Sequence, residues 1–326
     1  MNRGHALAAA LWITAALVCP AAAQQPSTLL VVNKLENTLA FVDPATGQVA
    51  VKVPTGEGPH EVVTDGTYAY VGNYGAQTPG STLSVIDLAS RKEVRRVDLG
   101  ALRRPHGLVM AEGKVYFTAE TNRVVARYDP AADRVDWVMG TGQAGTHMIV
   151  AHGGGATFFT TNIGSDTVSV ISRGANPLAW AVTTIAVGKG PEAIDISPEG
   201  AELWVAHSRD GGVSVVDIAT RKVAHTFDLR TKRSNRLTFT PDGALVLISD
   251  LDGGALVVVD ARTRAEVKRL PLGRSPEGIL VAPDGGRAYV AVTGDNAVAV
   301  IDLSTLTVLG RIPTGAAPDG MAWVGR

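Results

Sequence analysis

Three of the histidines in this 326-residue chain stand at intervals that point to a single site. His60, His106 and His147 each follow the first residue of a short repeated segment, and the same place in later copies holds Glu192, Asn235, Glu277 and Asp319. Neutral imidazoles converging from neighbouring strands make a facial set of nitrogen donors for a divalent ion such as Zn²⁺, Cu²⁺ or Fe²⁺, with positions left for water or a ligand. An ion held in this way polarises a carbonyl or lowers the pKa of bound water. Glu192 and Glu277, across the ring, are the candidate general bases, and either of them or Asp319 could supply a fourth ligand. Six of the seven histidines lie beyond the leader described below, and three of those six occupy these seven equivalent places. A second reading stays open: a ring that lines a wet channel is polar without any metal, its imidazoles bonded to neighbouring backbone.

What brings these residues together is a repeat, cleanest over 275–315. It opens with Pro276, Glu277 and Gly278 and runs through apolar residues to a Pro283-Asp284-Gly285 turn. Three further runs, 287–292, 296–302 and 307–312, are rich in Val, Ile, Leu, Tyr and Thr and are separated by Gly, Asn, Asp and Ser. Each copy therefore reads as a four-stranded antiparallel meander. Its opening position recurs at Pro59, Pro105, Thr146, Pro191, Ser234, Pro276 and Pro318, at spacings of 46, 41, 45, 43, 42 and 42 residues. A lone meander of this size cannot bury both faces of its sheet, whereas seven packed around an axis can. The expected fold is an all-β seven-bladed propeller with blades near 58–100, 104–142, 145–189, 190–231, 233–273 and 275–315. A last blade combines 317–326 with 28–54, which hides the edges that an open array would expose.

The second strands YVGN (70–73), FTTN (159–162) and LVVN (30–33), together with VSVVDIATRKV (213–223), resemble the YVTN family of propeller repeats, whose members include YncE-like, surface-layer-like and lactonase-like proteins. The likeness covers 24–326 as one domain and is specific for fold; it implies no single activity, because such propellers serve as enzymes, ligand binders and scaffolds. Eight-bladed quinone enzymes resemble one another in Trp-rich docking repeats, and Trp137, Trp180, Trp204 and Trp323 show no such regularity.

A second set of residues should open on the same face from the ends of the second strands: Asn33, Asn73, Glu120, Asn162, His207, Asp250 and Val292. Asn there serves loop structure in the family, so Glu120 and His207 stand out as candidates to orient a neighbouring ring residue, or else as solvated loop residues. The longer loop 73–81 places Tyr74 on this face. One position further along the first strands, Glu61 and Arg236 replace small residues such as Gly107, Gly278 and Gly320. With Arg104, Lys232, Arg233 and Arg274 close by, the mouth acquires either an anion-attracting rim or ordinary solvated surface. Recurrent Asp43, Asp87, Asp129, Asp217, Asp260 and Asp302 are turn formers, and His152 and His225 are structural.

Residues 1–23 have Arg3, an apolar stretch over 6–18 and Ala21-Ala22-Ala23, the pattern of a secretory signal peptide. A lipid-anchor reading of Leu17-Val18-Cys19 competes, but Val18 is bulky where such sites carry a small residue. Cys19 is the single cysteine, so the chain beyond the leader can form no disulfide, thiolate ligand or thiol nucleophile. No stretch suffices for a membrane span. With 30 basic and 31 acidic residues, nothing favours a nucleic-acid binder. The expectation is a periplasmic or secreted protein that binds a small molecule at the mouth bearing His60, His106 and His147 through a divalent metal. Glu61, Tyr74, Glu120, His207, Asn235, Arg236 and Asp319 are its candidate ligand-binding residues. Two alternatives stay open: a metal-dependent lyase or lactone hydrolase, which similar rings support, and a surface or periplasmic scaffold with a protein partner.

Overall fold

The computed structural model describes residue 1, residues 27–176 and residues 178–325. The predicted leader, Met1 aside, and Cys19 with it lie outside the described residues. Among those described, the strands form seven four-stranded antiparallel sheets. Their innermost strands are Pro59–Thr64, Pro105–Ala111, Thr146–His152, Pro191–Ile196, Ser234–Phe239, Pro276–Val281 and Pro318–Val324. Each packs on the next and the last returns to the first, closing a ring around a central channel.

Burial follows position within the blade. Second strands such as Thr28–Asn33 and Tyr68–Gly75 are apolar with little alternation because neighbouring blades cover both their faces. Outermost strands such as Lys92–Asp98 and Lys222–Asp228 are largely exposed and carry the charge. The recurrent third-strand aspartates build the turns that follow: Asp43, Asp129 and Asp302 accept backbone N–H bonds from Ala45, Ala131 and Ser304 at 2.8, 3.0 and 2.8 Å.

Ring closure uses both ends of the described chain. Thr28–Asn33 pairs with Thr38–Val42 on one side and with Pro318–Val324 on the other, placing Leu29 opposite Trp323 and Leu30 opposite Ala322. Leu30, Val32 and Ala322 pack with Val62, Ala69 and Val71 of the following blade, and Leu29 and Val31 pack with Tyr289 and Val298 of the preceding one. No helix among the described residues is long and apolar enough to cross a membrane.

Closure through buried apolar contacts makes a specific demand on Leu30. Leu30→Ala should lower unfolding free energy by about 2–5 kcal/mol, while Val308→Ala on an exposed outer strand should change it by less than about 0.5 kcal/mol. Urea unfolding followed by tryptophan fluorescence checks both.

Candidate functional site

One backbone irregularity positions the site. In every blade the first residue of the inner strand pairs with the second strand, and the register then slips: Pro59 faces Asn73 before Glu61 faces Gly72, and Pro105 faces Ala119 before Leu108 faces Phe117. The same break follows Thr146, Pro191, Ser234, Pro276 and Pro318. A bulge of this kind takes one residue out of the ladder and re-aims its side chain. His60, His106, His147, Glu192, Asn235, Glu277 and Asp319 occupy the seven breaks, and all seven line one cavity of about 330 Å³ at the channel mouth. Glycine at the following position permits the close packing of inner strands. A Cβ on Gly107 would come within 2.6 Å of the His147 carbonyl oxygen, and one on Gly320 within 2.5 Å of that of His60.

The three imidazoles meet as a stack. Ring centroids are 4.7 Å apart for His60 and His106 and 3.8 Å for His106 and His147, at interplanar angles of 37° and 32°. Tyr74 stands edge-on to His60 and His106 at 4.8 and 5.4 Å. His147 Nδ1 is 2.9 Å from Glu120 Oε1, and the Tyr74 hydroxyl donates to Glu120 Oε2. Arg104 donates to the Tyr74 oxygen at 2.9 Å and lies over its ring. Burial opposes ionisation of Glu120, but His147 and Tyr74 outweigh it and hold the carboxyl below its ordinary range. Burial and the bond to Glu120 push the Tyr74 phenol up to about 12. His106 is driven well below the ordinary imidazole range by burial and by the neighbouring histidines, which makes it a neutral donor. The facial arrangement expected from the spacing is not preformed: among the described residues no group of three His, Cys, Asp or Glu side chains is disposed to hold a metal ion.

The other half of the mouth is an ion network. Lys34 pairs with Glu277 and lies 3.3 Å from Asp319, which is fully buried and has His60 Nδ1 at 2.6 Å. That His60 approach lies outside hydrogen-bond alignment, leaving both Asp319 oxygens without a hydrogen bond. Burial opposes the Asp319 charge, yet Lys34, His60 and Arg236 outweigh it and hold the carboxyl well below its usual range. Glu277 moves the other way: burial, reinforced by Asp319, pushes it up to about 7 against the pull of Lys34. Glu192 accepts from Asn235 at 2.8 Å and from Arg233 at 3.4 Å. One residue deeper, Glu61 and Arg236 pair across the channel from the first and fifth blades. Burial raises the Glu61 carboxyl even against that partner.

Two expectations need correction. Glu120 does not stand at the end of its second strand; Ala119 does, opposite Pro105, so Glu120 takes the next place, shared with Lys34 and Tyr74. This shift explains why it turns to the mouth and bonds His147 rather than His106. His207 holds the strand-end place, opposite Pro191, and is tied to its own loop by Asp210 at 2.9 Å and the Gly188 N–H at 3.3 Å, away from the site. Asn73 and Asn162 hold the same place but differ from it, since their amides donate to hydroxyls of the third strand rather than to loop backbone. Among the proposed rim cations, Arg104 and Arg233 reach the mouth, whereas Arg274 pairs outward with Asp295. Sequence reasoning missed Lys34, although the logic that selected Tyr74 applies to it, since each directly follows a strand-end Asn.

Removing Lys34 tests the network. Lys34→Met leaves Asp319 and Glu277 buried with Arg236 as their nearest remaining cation, so their folded-state pKa values rise above the unfolded ones. Stability is then retained at low pH and lost as pH rises. The expected deficit against wild type is about 3–5 kcal/mol at pH 8 and smaller at pH 5, read from urea unfolding at both.

Comparison with known proteins places this architecture. The 91-residue stretch that matches antigen Lp49 of Leptospira interrogans is 34% identical, and covers 28% of this chain and 20% of that protein. The chain thus spans about a fifth of this curated relative. Hydrazine synthase from Kuenenia stuttgartiensis superposes with a TM-score of 0.74 at 19% identity, covering 85% of this chain and 92% of that one. A candidate 6-phosphogluconolactonase from Bacteroides uniformis superposes with a TM-score of 0.76 at 15% identity, covering 92% and 100%. At such identities these two likenesses concern the fold. The family described as YNCE-like beta-propeller matches residues 5–325, and with its seven closed blades the chain belongs to that family.

Proposed function

We propose that this propeller binds a small ligand at the channel mouth through a divalent metal ion carried by His60, His106 and His147. The observation that carries the reading is a set of buried polar atoms there without hydrogen-bond partners: Nδ1 of His60 and of His106, His147 Nε2 and both oxygens of Asp319. Buried polar groups almost always find partners, and lone pairs gathered at one mouth suit a cation. Among the ring acids Asp319 has both oxygens without a hydrogen bond, although Lys34 and His60 lie 3.3 and 2.6 Å away, whereas Glu277 accepts from Lys34 and Glu192 from Asn235 and Arg233. Stacked rings do not forbid ligation, since His χ2 is a broad torsion that turns at little cost. The leader-like residues 1–23 support a periplasmic or secreted location.

An enzymatic extension rests on the Lys34–Glu277 pair, which faces the histidines and would serve a metal-dependent lyase or lactone hydrolase as general base. The likeness to candidate lactonases supports no more than the choice of substrates to try. The scaffold reading gains little: among the described residues, exposed Val94, Val138, Val223, Val267, Val308 and Leu309 stand on the outer strands of five blades, and exposed Leu35 and Leu178 stand in loops.

Elemental analysis of untagged protein purified without chelator, followed by calorimetric titration with Zn²⁺ or Cu²⁺, should find about one equivalent per chain. His60→Ala, His106→Ala and His147→Ala should each weaken binding by at least about tenfold, or about 1.4 kcal/mol, whereas His225→Ala leaves it unchanged. Equal uptake in all four variants, or none in the wild type, refutes the site. If metal binds, Glu277→Gln should abolish any lactone or lyase turnover while retaining the ion.

A further inference from the structure

Hydrogen-bond direction can be followed inward from the rim of the mouth. Arg104 carries only donors, so the bond of 2.9 Å between its Nη1 and the Tyr74 hydroxyl uses a lone pair of the Tyr74 oxygen. The single Tyr74 proton is then directed to Glu120 Oε2, which it contacts. An ionised carboxylate accepts and cannot donate. The remaining Glu120 oxygen, Oε1, lies 2.9 Å from His147 Nδ1, so the proton in that bond belongs to the imidazole. Nothing equivalent holds the far side of the ring, since His147 Nε2 is buried and has no hydrogen-bond partner. A proton on Nε2 would be buried without an acceptor, which costs about 1–3 kcal/mol, whereas a lone pair there faces the same cavity as His106.

We infer that Glu120 is a positioning residue: through the chain Arg104–Tyr74–Glu120–His147 it fixes His147 as the Nδ1–H tautomer and so presents the Nε2 lone pair at the mouth. The opposite end of the imidazole stack lacks this device: Asp319 Oδ2 lies 2.6 Å from His60 Nδ1 without hydrogen-bond alignment, so no bond there selects a His60 tautomer. His106 lies between the two rings, and Nδ1 of both His60 and His106 has no hydrogen-bond partner. This rests on the metal-site reading for its use, and it names one donor atom, Nε2 of His147, beside which His60 and His106 would each supply a nitrogen. Such outer partners orient ligand imidazoles and raise their basicity, and their loss typically weakens metal affinity about 10–100-fold. The set is nitrogen-rich, which suits Zn²⁺, Cu²⁺ or Fe²⁺ over Mg²⁺ or Ca²⁺.

The test is long-range ¹H–¹⁵N correlation of histidine-labelled, metal-free protein, with the His147 resonances assigned by their loss in His147→Gln. Wild type should show His147 protonated on Nδ1 and bare on Nε2. Glu120→Ala should shift it toward the Nε2–H form that an unconstrained imidazole favours, and lower Zn²⁺ affinity about 10–100-fold. Glu120→Gln, whose carbonyl can still accept from Nδ1, should keep the wild-type tautomer and most of the affinity. An Nε2–H tautomer in the wild type overturns the inference without any variant having to fold, as does a tautomer unchanged by Glu120→Ala. If the tautomer behaves as stated but Zn²⁺ and Cu²⁺ do not bind, the positioning role of Glu120 stands and the metal reading fails alone.

Discussion

The mouth of this propeller depends on a break in strand pairing. After the first residue of each inner strand the ladder slips, and the next side chain leaves the sheet for the channel. Were the pairing continuous, successive side chains would alternate between the two faces of the blade, and the residues at these places would pack against neighbouring blades. Seven such breaks around one axis turn positions more than forty residues apart into neighbours. Glycines one step further let adjacent inner strands approach closely enough for His106 and His147 to stack at 3.8 Å.

Within that ring, burial makes charge balance decisive. Asp319 has no exposed surface and keeps its charge because Lys34, His60 and Arg236 surround it. Glu61 and Arg236 neutralise each other across the channel one layer down. Isolated charges at such depth would lose their protons or gain them, so the cations and acids of the mouth form one interdependent set. The imidazoles lie along the arc of this set where fixed cations are fewest, with Arg104 reaching them only through Tyr74. That asymmetry separates a charged half from the imidazole stack, where burial and the neighbouring histidines drive His106 well below the ordinary imidazole range.

Much of this was legible from the chain. Openings spaced 41 to 46 residues apart, five of them at Pro, and Asp-centred turns sufficed for seven blades and for a closing sheet shared by the two ends, because both depend on local turn chemistry and on a near-constant period. Counting from the openings also found the ring residues, since an inner strand repeats its geometry in every blade. The alignment of strand ends slipped by one residue in blade two. Ala119 faces Pro105 as Asn73 faces Pro59, at the same spacing from the opening, so Glu120 was aligned with Asn73 when it corresponds to Tyr74. A slip of one residue reverses the face in a β-strand, which is why Glu120 turns to the mouth, whereas His207 stands at the expected strand end and bonds Asp210 and the Gly188 N–H of its own loops.

The sequence by itself determined the number of blades, the identity of the channel-mouth ring and the absence of any cysteine after residue 19, all consequences of residue type and spacing. Tertiary structure decided which of those groups touch. It stacked the imidazoles instead of fanning them, paired Glu61 with Arg236 from blades 175 residues apart, and brought in Lys34 to neutralise Asp319 and Glu277. These contacts depend on side-chain reach across the channel and on the balance of charges that burial enforces, and neither quantity is written in the period of a repeat.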